Sequence, residues 1–206
     1  MLKHAMMLAA LLTAGCMIAH AQATSTSQGP FGFRPGMTRD EVIRLVGTGV
    51  VEKTEDPDDL LLKTAPRPHS SFENYLLTFS RDRGLVWLKA IGRNIRTSSY
   101  GNELQVEFRA VREAISGNYG EAKTYDFLRA GSIWDEPRDW MMGLLRKERI
   151  LTAYWLDRSR LSNHVQGIRL EAKALSTGQG YLVLTYEFEG WNEYIATKKA
   201  EESSVF

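Results

Sequence analysis

Apolar residues recur along this chain with two periods, one typical of helices and one typical of strands. The first helical pattern covers residues 34–47, where Thr38 is a good N-cap and Glu41 lies three residues later. This Thr-x-x-Glu capping box satisfies two backbone donors that would otherwise lack a partner. Gly47 predicts the end of the helix, because glycine adopts positive φ without a Cβ penalty. The apolar face of this helix is predicted to be Val42, Leu45 and Val46.

Two further helices follow from the same period of 3.6 residues. The segment 102–120 has apolar residues in 4-3-4 spacing and ends in glycine. A third helix is predicted to begin near Asp135, with Pro137 in its first turn, where the missing N–H does no harm. The apolar stripes are Leu104, Phe108, Val111 and Ile115 in the second helix, and Trp140, Met141, Leu144 and Leu145 in the third.

Alternation of apolar and polar residues predicts five strands. A hairpin over 72–92 places Tyr75, Leu77 and Phe79 on one face, and three strands over 150–156, 166–175 and 181–189 close the domain. In the middle one of these three, alternate residues are apolar and the others are charged. Ile168, Leu170, Ala172 and Ala174 are expected to face inward, and Arg169, Glu171 and Lys173 to face water.

The order of elements predicts an α+β fold in which helices pack on one face of an antiparallel sheet. We expect a single domain over 31–191, and its halves, 31–100 and 101–191, are candidates for two diverged helix-plus-sheet repeats. Residues 192–206 are polar and predict a tail that frays.

The N-terminus has the features of a secretory signal. Lys3 precedes an apolar run, and Ala19-His20-Ala21 is an A-x-A cleavage site, so the sequence predicts a signal over 1–21 and a flexible leader over 22–30. The expected location is the periplasm. The alternative is an outer-membrane lipoprotein, since Leu12 to Cys16 resembles a lipoprotein signal, and a lipidated Cys16 would then provide the membrane attachment.

The charge of the chain argues against nucleic acid as a partner. The sequence has 26 Lys and Arg against 25 Asp and Glu, and loss of Lys3 with the signal would make the two numbers equal. A chain without excess positive charge lacks the bulk attraction that draws proteins to polyanions.

A family resemblance arises from the first helix. The stretch from Gly36 through Met37, Thr38 and Glu41 to Val42, followed by Leu45 and Gly47, resembles the opening of the SmpA/OmlA (BamE-like) proteins. Those are small periplasmic or outer-membrane lipoproteins in which such a helix packs on an antiparallel sheet. Tandem versions of that architecture look like the β-lactamase-inhibitor-protein fold, whose members bind other proteins on a concave sheet. The resemblance implies a fold and a non-enzymatic class.

Motifs for metal or covalent chemistry are not found in the sequence. Beyond the predicted signal the histidines are His69 and His164, without the spacing of a zinc site, and the only cysteine is Cys16. An EF-hand loop beginning at Asp56 would need glycine and glutamate where Leu61 and Arg67 stand. We therefore expect no metal, no cofactor and no catalytic residue, and we do not expect an enzyme. The alternative is a secreted hydrolase, since a paired-carboxylate active site needs only two acidic groups at the right separation and would predict a deep polar cleft.

Four residues are candidates for binding a partner protein. Arg67 and His69 lie in the turn 66–71, which Pro66 and Pro68 make rigid, although the prolines could serve only to block strand pairing. Trp155 and Trp191 are the tryptophans most expected to be exposed, and tryptophan, tyrosine and arginine dominate binding hot spots.

The sequence thus predicts an exported protein that binds another protein of the cell envelope, as an accessory of envelope assembly. The alternative is an inhibitor or immunity protein that neutralises a toxin or an enzyme in the periplasm.

Overall fold

The fold is described by a computed structural model that covers residues 29–204. The predicted signal, Cys16 and most of the leader lie outside these residues. The described part contains four α-helices: α1 (Arg39–Val46), α2 (Asn102–Tyr119), α3 (Trp140–Leu145) and α4 (Trp191–Ser203). Its nine strands are β1 (Val51–Glu52), β2 (Asp59–Leu62), β3 (Phe72–Ser80), β4 (Gly84–Gly92), β5 (Ile95–Arg96), β6 (Lys123–Leu128), β7 (Arg149–Trp155), β8 (Val165–Ser176) and β9 (Gln179–Phe188).

All nine strands belong to one antiparallel sheet, which confirms the α+β prediction. The strand order is β1-β2-β3-β4-β9-β8-β7-β6, and the short β5 pairs with the beginning of β9. Strands β1 to β4 form one meander and β6 to β9 form another, and the last strand of each meander pairs with the other. The relation of the two halves by a diverged repeat stays a prediction.

The core lies on one side of the sheet, beneath α2 and α3. The predicted stripe of α2 is confirmed, since Leu104, Phe108, Val111 and Ile115 are all buried. They pack against inward-facing residues of the central strands, such as Leu170 and Leu184. Over β2 to β4, the same side is covered by the segment 30–46, where Phe33 and Val42 are fully buried.

The capping box of α1 is confirmed. Thr38 Oγ1 accepts a hydrogen bond from the Glu41 backbone N–H at 3.3 Å, and Glu41 Oε2 accepts one from the Thr38 N–H at 2.7 Å. The Thr38 hydroxyl also donates to Glu41 Oε2 at 3.0 Å, and the two bonds that the carboxylate accepts, first from the Thr38 N–H and then from this hydroxyl, lower the pKa of Glu41 below its usual value. Gly47 ends the helix with φ +81°. The expected apolar face is wrong for Leu45, which is 50% exposed, because this short helix buries only Val42.

The segment 192–206, expected to be a fraying polar tail, forms α4 up to Ser203. This helix has no buried residue, so the sequence contains no apolar periodicity from which to predict it. Strand β6 is missing from the sequence prediction for a related reason. Five of its six residues are exposed, since it is an edge strand with little cover on either side.

We expect Thr38→Ala to lower the free energy of unfolding by about 1 kcal/mol, because the Glu41 N–H loses its acceptor. Urea denaturation measures the effect. Thr48→Ala is the matched control, since Thr48 is exposed and its side chain makes no hydrogen bond within residues 29–204. Equal stabilities of the two variants would contradict a contribution from the capping box.

Candidate functional site

The turn 66–71 is held in place at both of its ends. The Arg67 backbone N–H donates to the Phe31 carbonyl at 3.0 Å, and the Phe72 N–H donates to the His69 carbonyl at 3.0 Å. His69 Nδ1 accepts from the Ser71 N–H at 3.2 Å, so a neutral His69 ring carries its proton on Nε2. Arg67 and His69, both predicted to bind a partner, are exposed.

Arg67 and His69 line a cleft on the core side of the sheet, which we name the aromatic cleft. Its volume is about 540 Å³, and a smaller apolar hollow of about 170 Å³ adjoins it. The walls of the two are formed by the first described residues, the turn, the end of α2, a loop before β8, and the core side of β9. The aromatic and histidine residues among them are Phe31, His69, Phe72, Tyr119 and Tyr186.

Tyr186 lies at the inner wall of the aromatic cleft and is 5% exposed. Burial raises the pKa of its phenol far above the usual value, so the hydroxyl stays protonated and can donate a hydrogen bond. It makes no hydrogen bond to any other residue within 29–204. Phe31 packs edge-on against Tyr186, with ring centroids 6.3 Å apart.

Trp155, predicted to be exposed, is instead 2% exposed, and the prediction is wrong for it. Its indole N–H donates to the Gly120 carbonyl at 2.9 Å, with Ser116 Oγ at 3.3 Å. The side chain lies on the core side of β7 with Leu151 and Ala153. Trp155 therefore locks β7 to the end of α2 and is not available to a partner.

Trp191 begins α4 and is partly buried between two other rings. Its ring stacks on Trp87 of β4, with centroids 5.4 Å apart, and on Tyr194 at 5.6 Å. Further along α4, Lys198 Nζ lies 2.6 Å from Asp58 Oδ2, and the Tyr194 hydroxyl donates to the same oxygen at 3.3 Å. These contacts attach α4 to the side of the sheet opposite α2 and α3.

Over strands β6 to β8, no helix within residues 29–204 covers this second side of the sheet. We name the side chains of β6–β9 on this side, together with Lys89 of β4, the open face. They alternate with the buried core residues, as the register of the strands requires. The open face includes Lys89 on β4, Lys123, Tyr125 and Phe127 on β6, Ile150, Thr152 and Tyr154 on β7, Arg169, Glu171 and Lys173 on β8, and Tyr181, Val183, Thr185 and Glu187 on β9.

One row of the open face crosses five neighbouring strands. It runs from Lys89 through Thr185, Arg169 and Tyr154 to Lys123, and five strands with neighbours about 4.8 Å apart span roughly 19 Å. The outward orientation predicted for Arg169 agrees with this position. The Thr185 hydroxyl is buried between its charged neighbours without a hydrogen-bond partner among the described residues.

Aromatic side chains are exposed at the β6 end of the open face. Tyr125 is 37% exposed and Phe127 is 45% exposed. The ring of Tyr125 meets that of Tyr154 edge-on at 5.9 Å, and Lys123 Nζ lies 5.3 Å from the centroid of Tyr125. The sequence alone does not single out these aromatic residues, because Tyr125 and Phe127 alternate with polar Thr124 and Asp126 over too few residues to predict a strand.

Positive charge predominates on the open face. Glu171 accepts from Arg169 Nε at 3.1 Å and from Lys173 Nζ at 2.8 Å, so one carboxylate joins two cations. Burial, and after it the charge of Arg169, lowers the pKa of Lys89. The cations of the open face are Lys89, Lys123, Arg169 and Lys173, and its carboxylates are Glu171 and Glu187.

Comparison with protein-family models, with curated proteins and with solved structures gives no match for this chain. The resemblance to the SmpA/OmlA proteins therefore stays a prediction. Within residues 29–204, no helix combines the length and apolar character needed to cross a membrane. The same residues contain no group of three or more His, Cys, Asp or Glu side chains placed to hold a metal ion.

We expect Trp155→Phe to lower the free energy of unfolding by about 2 kcal/mol, because the Gly120 carbonyl loses its buried donor and a cavity remains. Trp134→Phe is the control, since Trp134 is only partly buried and its indole nitrogen makes no hydrogen bond within the described residues. If both variants unfold at the same urea concentration, the indole bond does not stabilise the junction of β7 with α2.

We expect α4 to loosen at alkaline pH. Burial, the largest cause, raises the pKa of Tyr194 to about 12. In the unfolded chain the pKa of this phenol is about 10, so Tyr194 loses its proton at a lower pH when unfolded than when folded. The stability linked to Tyr194 is therefore complete below about pH 10 and is lost as the pH rises towards about 12. Tyrosinate absorbance of the wild type minus that of Tyr194→Phe measures this pKa, and a midpoint near pH 10 would contradict the burial of Tyr194.

Proposed function

We propose that this protein binds another protein through the open face. The observation that carries the proposal is the unequal covering of the sheet: α2 and α3 bury one side, whereas Tyr125 and Phe127 stay exposed on the other. Exposed aromatic side chains grouped on one surface are typical of interaction sites. The proposed role is that of an exported, non-enzymatic accessory of the cell envelope, and export is inferred from the signal-like N-terminus.

The open face is suited to binding because strands hold its side chains in place. Neighbouring strands pair in register along β4, β9, β8, β7 and β6, so little backbone freedom remains to be lost when a partner binds. The ring contact of Tyr125 with Tyr154 and the ion pairs of Glu171 restrict the side chains as well. Tyrosine and arginine contribute strongly to binding energy from such fixed positions.

The charge of the open face indicates the chemistry of the partner. Four cations face two carboxylates, and Glu171 is already paired with Arg169 and Lys173. Placing further cations against these would cost free energy, whereas acidic side chains would be attracted. We therefore propose a partner whose contact surface carries acidic residues next to an apolar patch that meets Tyr125 and Phe127.

Site-specific photo-crosslinking in exporting cells tests the proposed surface. A benzophenone amino acid replaces Tyr125, Tyr154 or, as a control, Val106, which is 55% exposed on the outer side of α2. We expect the same partner to be crosslinked from Tyr125 and from Tyr154 and not from Val106. Crosslinks from all three positions, or none from the open face, would contradict the proposal. Mass spectrometry of the adduct identifies the partner.

A charge variant tests the chemistry of the same contact. Arg169→Ala, combined with the benzophenone at Tyr125, is expected to lower the yield of the adduct at least tenfold, about 1.4 kcal/mol. Arg109→Ala is the matched control, because Arg109 is an exposed arginine on α2. Unchanged yield for a folded Arg169→Ala variant would contradict recognition of acidic residues by the open face.

A further inference from the structure

We propose that the aromatic cleft is a second site, which binds a small planar aromatic carboxylate. The cleft opens on the core side of the sheet, where Tyr186 of β9 forms its inner wall and Leu184 of β9 lines the adjoining hollow. The open face lies on the opposite side of the same strand. This inference is therefore independent of the proposed protein contact, and either could fail without the other.

The shape and lining of the cleft favour a ligand with a flat apolar ring system. Phe31 meets Phe72 and Tyr186 edge-on, with ring centroids 5.6 Å and 6.3 Å apart. The ring of Tyr119 is tilted against that of Tyr186, with centroids 6.4 Å apart. Rings that meet at an angle leave faces and edges open to a further ring, and such contacts favour aromatic ligands over equally apolar aliphatic ones. The adjoining hollow of about 170 Å³ extends this apolar wall between α2 and β9.

The polar groups of the cleft favour a hydrogen-bond acceptor attached to that ring system. Tyr186 is 5% exposed, and its protonated hydroxyl makes no hydrogen bond within the described residues. A protonated hydroxyl at the wall of the cleft, without a hydrogen-bond partner among residues 29–204, can donate to an acceptor on a ligand. His69 lines the same cleft and has its neutral-ring proton on Nε2, since Nδ1 accepts from Ser71. Tyr186 and His69 thus both offer donors, and hydrogen bonds to an ionised acceptor are stronger than those to a neutral one, so the acceptor that fits best is a carboxylate.

Three non-glycine residues around the cleft have positive φ, a conformation that residues other than glycine rarely adopt. Phe31 has φ +56°, and Asn163 and His164 in the facing loop have φ +58° and +61°. For a bulky residue such as phenylalanine this conformation is strained, and strain of this kind concentrates at ligand sites. The bond from Arg67 N–H to the Phe31 carbonyl keeps Phe31 there, with its ring against Phe72 and Tyr186.

Titration of the exported chain with three small probes tests the proposal. The probes are 2-naphthoate, 2-naphthamide, which has the same shape without the charge, and cyclohexanecarboxylate, which has the charge without the flat ring. Chemical shifts in ¹H–¹⁵N spectra measure the dissociation constants. We expect 2-naphthoate to saturate the protein and to bind at least tenfold more tightly than either of the others. Failure to saturate, or equal affinities, would overturn the proposal.

Variants then locate the binding. Tyr186→Phe keeps the ring and removes only the hydroxyl, and it should weaken 2-naphthoate at least tenfold. Ala114→Phe places a ring at the mouth of the apolar hollow from the exposed side of α2 and should abolish saturation. Val106→Ala, on the same helix and outside the cleft, should bind as the wild type does. Unchanged affinity for Ala114→Phe overturns the site, even if Tyr186→Phe fails to fold.

Discussion

The pairing of β4 with β9 holds the two halves of the sheet together. It joins five residue pairs, from Trp87 with Glu187 to Ile91 with Val183, and it continues the core from one meander into the other. Gly92 permits the close approach at its end, because a Cβ there would lie 2.7 Å from the Leu182 carbonyl oxygen. The only cysteine of the chain lies in the predicted signal, so these strands are held by hydrogen bonds and packing.

This central ladder also separates two surfaces with different chemistry. On the core side, the helices cover the strands except where the turn 66–71 meets the end of α2, and the aromatic cleft remains there. On the other side, α4 covers part of β4, and charged and aromatic side chains cover the rest. Strand β9 belongs to both surfaces, because Tyr186 and Thr185 are adjacent in sequence and point to opposite sides. A substitution in β9 can therefore be assigned to one surface by its position in the alternation.

Helix α4 differs from the other helices in how it is attached. It contributes no buried residue, and its side-chain contacts with the rest of the fold include the ring stack of Trp191 on Trp87 and the bonds of Tyr194 and Lys198 to Asp58. Partly exposed ion pairs and stacked rings contribute little free energy each. We therefore expect α4 to open at a lower free-energy cost than α2, whose apolar stripe is buried.

The sequence alone determined the features that depend on neighbours along the chain: the capping box of Thr38 and Glu41, the stripe of α2 and the hairpin 72–92. Tertiary structure decided the rest. In β7 both alternating sets contain large side chains, so only the packing of α2 buries Trp155 and leaves Tyr154 on the open face. Polar α4 forms against partners more than 100 residues away in sequence, such as Asp58 with Lys198. The aromatic cleft likewise joins His69 to Tyr186, because the sheet order places distant segments side by side, and no local pattern encodes that order.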